Sequence, residues 1–231
     1  MMQDEMTGLY CDGTEKTRSL RPSCKIKICG LSRPEDIRAA NRILPDYIGF
    51  VFAESSRRIT VSQAVRLKAA LDPRIRAVGG FVNAPINLIL SLAAEAHGVS
   101  AGPVIDLIQL HGDEDASYIR ELKSKTRLPV IKAVRVRTFR DIESAQSLPC
   151  DYLLYDTWTK DPYGGSGSQF DWSLIPPDTR PFFLAGGITL QTIPRAVSSG
   201  ACCIDISSAV ETEGRKDERK MREAVGTVRE Q

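Results

Sequence analysis

Cys29 closes a short alternating run, Lys25-Ile26-Lys27-Ile28-Cys29, and Gly30 follows it. A thiol at the tip of a strand, just before a turn into a helix, can act as a base, a nucleophile or a metal ligand, or simply fill space. Position alone leaves these readings open. Polar residues recur at comparable points: Ser55-Ser56-Arg57-Arg58, Asn83, Gln109-Leu110-His111-Gly112, Arg135 and Arg137, Asp156, Gly186-Gly187 and Asp205-Ile206-Ser207-Ser208. Two of these, Gly186-Gly187 and Ser207-Ser208, stand where helices would begin. Backbone N–H groups there can bind phosphate, and glycine lets the anion approach closely. The piece Tyr163-Gly164-Gly165-Ser166-Gly167 lies in a long stretch between Asp156 and Phe170-Asp171-Trp172, the kind of segment that forms a binding loop or lid.

These residues must be positioned by a repeating pattern that begins at residue 25. Apolar, β-branched runs predict strands over 25–28, 47–52, 76–82, 104–109, 130–134, 152–155, 181–185 and 202–206. Helical spacing lies between them, at 33–43, 61–71, 85–96, 114–125, 138–147, 189–198 and 217–228, with a shorter element after Asp171. Ser32-x-x-Glu35 reads as a capping box with Pro34 in the first turn. Thr60 and Ser62 precede the second helix, Asp113, Glu114 and Asp115 put negative charge at the start of the fourth, where the helix dipole favours it, and Gly98 and Gly200 follow helices. Eight strands alternating with helices predict an α/β (β/α)8 TIM barrel in a single domain, residues 25–231, with polar strand tips gathered at one mouth. The rival, an open doubly wound sheet, lacks its glycine fingerprint after the first strand. Residues 1–24 are polar, carry no apolar core of a signal peptide, and are expected to form a disordered extension.

Composition narrows the function classes. The 231 residues carry a formal charge of +2, with 26% charged and 42% hydrophobic residues, an ordinary globular mixture. No basic cluster is interleaved with aromatics, and no apolar run reaches bilayer length, so neither nucleic acid nor membrane is an expected partner. Six cysteines without a Cys-x-x-Cys pair, and only two histidines, argue against a zinc site and for reduced thiols in a cytoplasmic protein.

As a set, the motifs resemble the phosphoribosylanthranilate isomerase family. They are Lys27-Ile28-Cys29-Gly30, Gly49-Phe50-Val51-Phe52 with Ser56-Arg57-Arg58, Gly80-Phe81-Val82-Asn83, and Gln109-Leu110-His111-Gly112. They continue through Asp156-Thr157, Gly164-Gly165-Ser166-Gly167 with Phe170-Asp171-Trp172, Leu184-Ala185-Gly186-Gly187 and Asp205-Ile206-Ser207-Ser208 to Glu211. The resemblance implies an Amadori rearrangement of N-(5′-phosphoribosyl)anthranilate in tryptophan biosynthesis, without metal or cofactor. It implies Cys29 as general base and Asp156 as general acid. Arg58 would hold the anthranilate carboxylate, Asp205 would face the ribose hydroxyls or the amine, and Gln109 and His111 would line the substrate mouth. Phosphate would sit on Gly186, Gly187, Ser207 and Ser208, with Gly165 contributing. Lys27 shares a strand face with Cys29 and would favour its thiolate. Arg57 is expected to be solvated. The partner is then a small phosphorylated sugar–anthranilate, and the chain a monomer or homodimer.

The resemblance also allows a related aminoaldose isomerase of histidine biosynthesis or a bifunctional form, a group that usually carries Asp at the Cys29 position, or a non-catalytic phosphosugar-binding barrel. Three departures stand out: one extra residue between Asp156 and Gly164, Gly79-Gly80 where Gly-Val is more usual, and Ala209 in place of a glycine. If position 209 needs a positive φ, Ala209 would strain the phosphate loop.

Overall fold

A computed structural model describes residues 24–94, 102–157, 169–177 and 179–231. Eight parallel strands close into a barrel in chain order: β1 (Lys25–Cys29), β2 (Tyr47–Val51), β3 (Arg76–Phe81), β4 (Leu107–Leu110), β5 (Val130–Val136), β6 (Tyr152–Thr157), β7 (Phe182–Leu184) and β8 (Cys203–Ile206). Helices α1 (Pro34–Ile43), α2 (Val61–Ala69), α3 (Ile86–Ala93), α4 (Ala116–Lys125), α5 (Phe139–Ala145), α6 (Ile193–Ser198) and α7 (Glu218–Arg229) surround it. The TIM barrel read from the strand–helix alternation is the fold found. None of these helices is long and apolar enough to cross a membrane.

The period-two alternation of each strand divides the core in two. Ile26, Ile28, Ile48, Phe50 and Ile204 face the helices and belong to the larger apolar cluster. Tyr47, Val78, Leu107, Ile131, Leu154, Phe183 and Cys203 fill the barrel interior as a second cluster. Each large side chain fully buried this way contributes about 1.5–3 kcal/mol. Register between β1 and β8 places Lys27 beside Asp205, and register between β1 and β2 places Cys29 beside Gly49. Alternation thus sets Lys27 and Cys29 on the inner face, one layer apart.

Several boundaries differ from the sequence reading for identifiable reasons. β4 begins at Leu107 because the N–H groups of Val104 and Ile105 donate to the Leu92 carbonyl at the end of α3 (3.0 and 3.3 Å) instead of joining the ladder. Asp106 then accepts from the Ala77 N–H (2.6 Å). The cap of α1 is not the Ser32/Glu35 box. The buried Asp36 carboxylate receives the N–H groups of Ser32 and Arg33 (both 3.0 Å), while Glu35 points outward to Arg38. Thr60 and Asp115 cap α2 and α4 through the N–H groups of Gln63 and Tyr118 (3.2 and 2.8 Å). The short element after Asp171 is a single 3-10 turn, Trp172–Leu174, halted by Pro176-Pro177. The proposed extension up to residue 23, the cap glycine Gly98 and the Tyr163–Gly167 segment lie outside the described residues.

Lys132 on the outer face of β5 is buried, and its ammonium donates to the carbonyls of Gly112 (2.6 Å) and Ala133 (3.1 Å) and to Glu114 Oε2 (3.1 Å). Glu114 in turn accepts from the N–H groups of Asn83 (2.8 Å) and Gly112 (3.0 Å). This pair ties the loops after β3 and β4 to strand β5. Glu114→Ala would leave the buried Lys132 without its counter-charge and two backbone donors unmatched, which should cost about 3–5 kcal/mol in urea unfolding; a loss under 1 kcal/mol would mean that water replaces the carboxylate.

Candidate active site

At the C-terminal mouth of the barrel the inward residues form one continuous polar chain. The Lys27 ammonium, 1% exposed, donates to Asp205 Oδ2 (2.7 Å) and to Gln109 Oε1 (2.8 Å). The Gln109 amide nitrogen lies 2.9 Å from His111 Nδ1, and His111 Nε2 lies 3.0 Å from Asp156 Oδ2. Four strands, β8, β1, β4 and β6, are thereby linked across the mouth. Burial works against the Lys27 charge, but Asp205 and Cys29 outweigh it and hold the ammonium above the ordinary lysine range. Burial pushes the Asp205 carboxyl up, against the pull of Lys27. Asp205 Oδ1 is buried without a hydrogen-bond partner among the described residues.

Cys29 sits at the edge of this chain, half-buried. The absence of a side chain at Gly49 makes room for it: a Cβ there would fall 2.8 Å from Cys29 Sγ and 3.2 Å from Lys27 Cε. On the other side lies a second charged cluster. Arg57 makes a two-pronged pair with Glu211 (2.8 and 2.8 Å), and Lys216 donates to Glu211 (2.6 Å) and to the Ser207 carbonyl (3.0 Å). Ser207 Oγ donates to the Cys29 carbonyl (3.1 Å). Lys27, Arg57 and Lys216 all lie close enough to respond to a negative charge on Cys29. Arg57, expected to be solvated, is instead anchored beside the thiol, because Glu211 reaches it from the loop after β8.

Arg58 lies apart from the chain, exposed at the rim and ion-paired with Glu54. Gly186 and Gly187 follow β7 with φ of +82° and +66°. A Cβ on Gly186 would lie 2.4 Å from the Thr157 nitrogen and 2.6 Å from Asp156 Oδ1, so glycine is what lets this turn close on β6. Gln169 donates to the Gly187 carbonyl (2.8 Å), and the Phe170 N–H donates to Thr157 Oγ1 (3.1 Å), pinning these two residues to the turn after β7 and to β6. Ser208 opens a 3-10 turn, Ser208–Val210. Ala209 within it is not among the residues with positive φ, so the strain anticipated there is absent. Gly165 and the extra residue before Gly164 lie outside the described residues. The roles of Glu211 and Lys216 were missed in the sequence; a carboxylate and a lysine five residues apart give no signal until the ribbon of Glu211–Thr212 and Arg215–Lys216 folds them together.

The mouth therefore offers a thiol, a carboxylate on another strand, an unmatched buried acceptor and two glycine amides in a left-handed turn. A family model for N-(5′-phosphoribosyl)anthranilate (PRA) isomerase matches residues 26–227. A curated N-(5′-phosphoribosyl)anthranilate isomerase of Endomicrobium trichonymphae is 46% identical over 206 residues, covering 89% of this chain and 98% of its own. Among solved structures, phosphoribosyl anthranilate isomerase from Thermotoga maritima superposes with a TM-score of 0.76 at 34% identity, covering 90% of this chain and 100% of its own. A structure of the enzyme in complex with reduced 1-(o-carboxyphenylamino)-1-deoxyribulose 5-phosphate matches with a TM-score of 0.75 at 31% identity, covering 90% and 100% of the two chains.

The Arg57–Glu211–Lys216 cluster carries a pH signature. Burial alone would raise the Glu211 carboxyl, but bonds from Arg57 and Lys216 bring it down to about 2, against roughly 4.3 in an unfolded chain. Its contribution to stability is thus complete above the unfolded value and lost as pH falls through the folded one. The stability gap between wild type and Glu211→Gln, measured by urea unfolding, should be constant down to roughly pH 5 and shrink below it. A gap that does not vary with pH would show that Glu211 gains nothing from its two cations.

Proposed function

The chain belongs to the phosphoribosylanthranilate isomerase family, enzymes of tryptophan biosynthesis, and from that premise we propose how its residues divide the reaction. Asp156 protonates the furanose oxygen of N-(5′-phosphoribosyl)anthranilate, and the ring opens to an iminium ion. The iminium acidifies the C2′ proton, and Cys29 removes it to give an enolamine. Proton transfer to C1′ and loss of the hydroxyl proton at C2′ complete 1-(2-carboxyphenylamino)-1-deoxyribulose 5-phosphate. One acid and one base suffice, provided both reach the same sugar. The observation that carries this reading is the polar chain itself: it brings the mouths of β1 and β6 into one rigid unit, with Cys29 beside its lysine and Asp156 at its far end.

The remaining groups take the substrate's ends. The unmatched Asp205 Oδ1 supplies an acceptor for a hydroxyl or the amine N–H. A buried acceptor gains most from a donor that water cannot provide. Phosphate sits on the amides of Gly186, Gly187, Ser207 and Ser208, where successive N–H groups of a left-handed turn form a concave anion site, and Gly165 joins it from the loop after β6. Arg58 receives the anthranilate carboxylate. Its pair with Glu54 is exposed at both ends, so exchanging one carboxylate for another costs little. Gln109 and His111 line the same mouth, although both ring nitrogens of His111 are already engaged within the protein. The chain is read as a cytoplasmic enzyme.

The substrate fluoresces through its anthranilate ring, and loss of that signal measures turnover. Cys29→Ala should nearly abolish turnover with the fold intact, and Cys29→Ser should also be poor, since an alcohol is a far weaker base than a thiolate. Retention of most activity by Cys29→Ala would remove the base assignment. Gly49→Ala, which crowds the thiol without replacing it, should lower kcat by roughly 100-fold. For Arg58→Ala, KM should rise by roughly 10- to 100-fold; an unchanged KM would take Arg58 out of the carboxylate site.

A further inference from the structure

The polar chain fixes where its protons are, because Lys27 can only donate. Its ammonium lies 2.8 Å from the Gln109 oxygen. Rotating the Gln109 amide by half a turn would set N–H against N–H at that distance inside the barrel, where Lys27 is 1% exposed and Gln109 4% exposed. The amide oxygen is therefore held toward Lys27 and the amide nitrogen toward His111. That nitrogen is also a pure donor, and it lies 2.9 Å from His111 Nδ1. Nδ1 must then be the unprotonated, accepting nitrogen, and the neutral ring carries its proton on Nε2, 3.0 Å from Asp156 Oδ2. From Lys27 through Gln109 to His111 each successive bond is donated in one direction, toward Asp156, while a further Lys27 N–H goes to Asp205. A doubly protonated ring would put an Nδ1–H against the amide N–H2.

We propose that Lys27 and Gln109 are positioning residues that lock His111 as the Nε2–H tautomer, so that His111 orients Asp156 and the proton delivered to the furanose oxygen resides on Asp156, not on the imidazole. The second half of this statement rests on the reading of Asp156 as the acid. The locked bond from His111, together with the Thr157 N–H donated to Asp156 Oδ1 (2.8 Å), fixes the rotation of the carboxyl group. The remaining lone-pair directions of its two oxygens are left for the transferred proton. Neither Lys27 nor Gln109 needs to touch substrate for this role.

Gln109→Glu tests the lock with little change of volume. One carboxylate oxygen keeps the bond to Lys27, and the other now faces Nδ1 as an acceptor. Lys27→Met is less suitable, since it strands the buried Asp205. With His97→Asn as background, His111 is the only imidazole, and long-range proton–nitrogen NMR on the full chain with 15N-labelled histidine reports which ring nitrogen is protonated. With Gln109 present, Nδ1 should be bare and Nε2 protonated; in Gln109→Glu the Nδ1 should acquire a proton, with kcat lowered roughly 10- to 100-fold and KM little changed. A protonated Nδ1 with Gln109 present, or a bare Nδ1 in Gln109→Glu, would overturn the lock, and neither result is produced by a merely structural glutamine. Asp156→Asn assayed alongside separates the two layers. Turnover retained by that variant would remove Asp156 as the proton's seat, while the NMR result would still decide the tautomer.

Discussion

The organisation of the barrel mouth depends on one buried charge. Lys27 is an ammonium almost without solvent contact, and holding such an ion in a protein interior costs several kcal/mol unless acceptors surround it. Asp205 and Gln109 are those acceptors. Their presence is dictated by the lysine, their positions by the register of β8 and β4, and their orientation by the fact that an ammonium has no lone pair. From this constraint follow the direction of the Gln109 amide, the proton arrangement of His111 and the fixed setting of Asp156. An apolar residue at position 27 would strand the buried Asp205 and leave the mouth with nothing to align its polar groups.

Around this axis the fold places a thiol between two charged clusters of different construction. The inner one is rigid because its members are buried on strands. The outer one, Arg57, Glu211 and Lys216, is assembled from loops and held by charge pairing. Gly49 and Gly186 serve both by absence: one leaves space for Cys29 and the Lys27 stem, the other lets the turn after β7 close on Asp156. Lys132 and Glu114 secure the loop that follows His111 from outside the barrel. The polar groups at the mouth are thus fixed from several directions before any substrate arrives, the preorganisation that makes charged groups effective in catalysis.

Much of this was legible in the chain. Period-two and helical spacing located all eight strands, because strands buried on both faces leave strong apolar runs. The strand tips named Cys29, Gln109, His111, Asp156 and Asp205, and alternation placed Lys27 beneath Cys29. What stayed hidden were relations between distant residues. Arg57 and Arg58 are neighbours of identical type, and only the position of Glu211, 154 residues from Arg57, decides which is anchored. The late start of β4 depends on a carbonyl at the end of α3, and the Asp36 cap on a side chain turning inward. Ala209 carries no strain because the turn after β8 is a 3-10 turn with ordinary φ values, something a glycine-for-alanine comparison could not reveal.

The division of labour between Cys29 and Asp156 is tested most directly by a crystal structure of this chain with the reduced product analogue, 1-(o-carboxyphenylamino)-1-deoxyribulose 5-phosphate with its ketone reduced. The phosphate should lie on the amides of Gly186, Gly187, Ser207 and Ser208, with Cys29 Sγ within ~4 Å of C2′ and Asp156 within hydrogen-bond reach of the oxygen that closes the furanose ring. An analogue bound with its C2′ turned away from Cys29, or with another ionisable side chain between that carbon and the thiol, would contradict this division of labour.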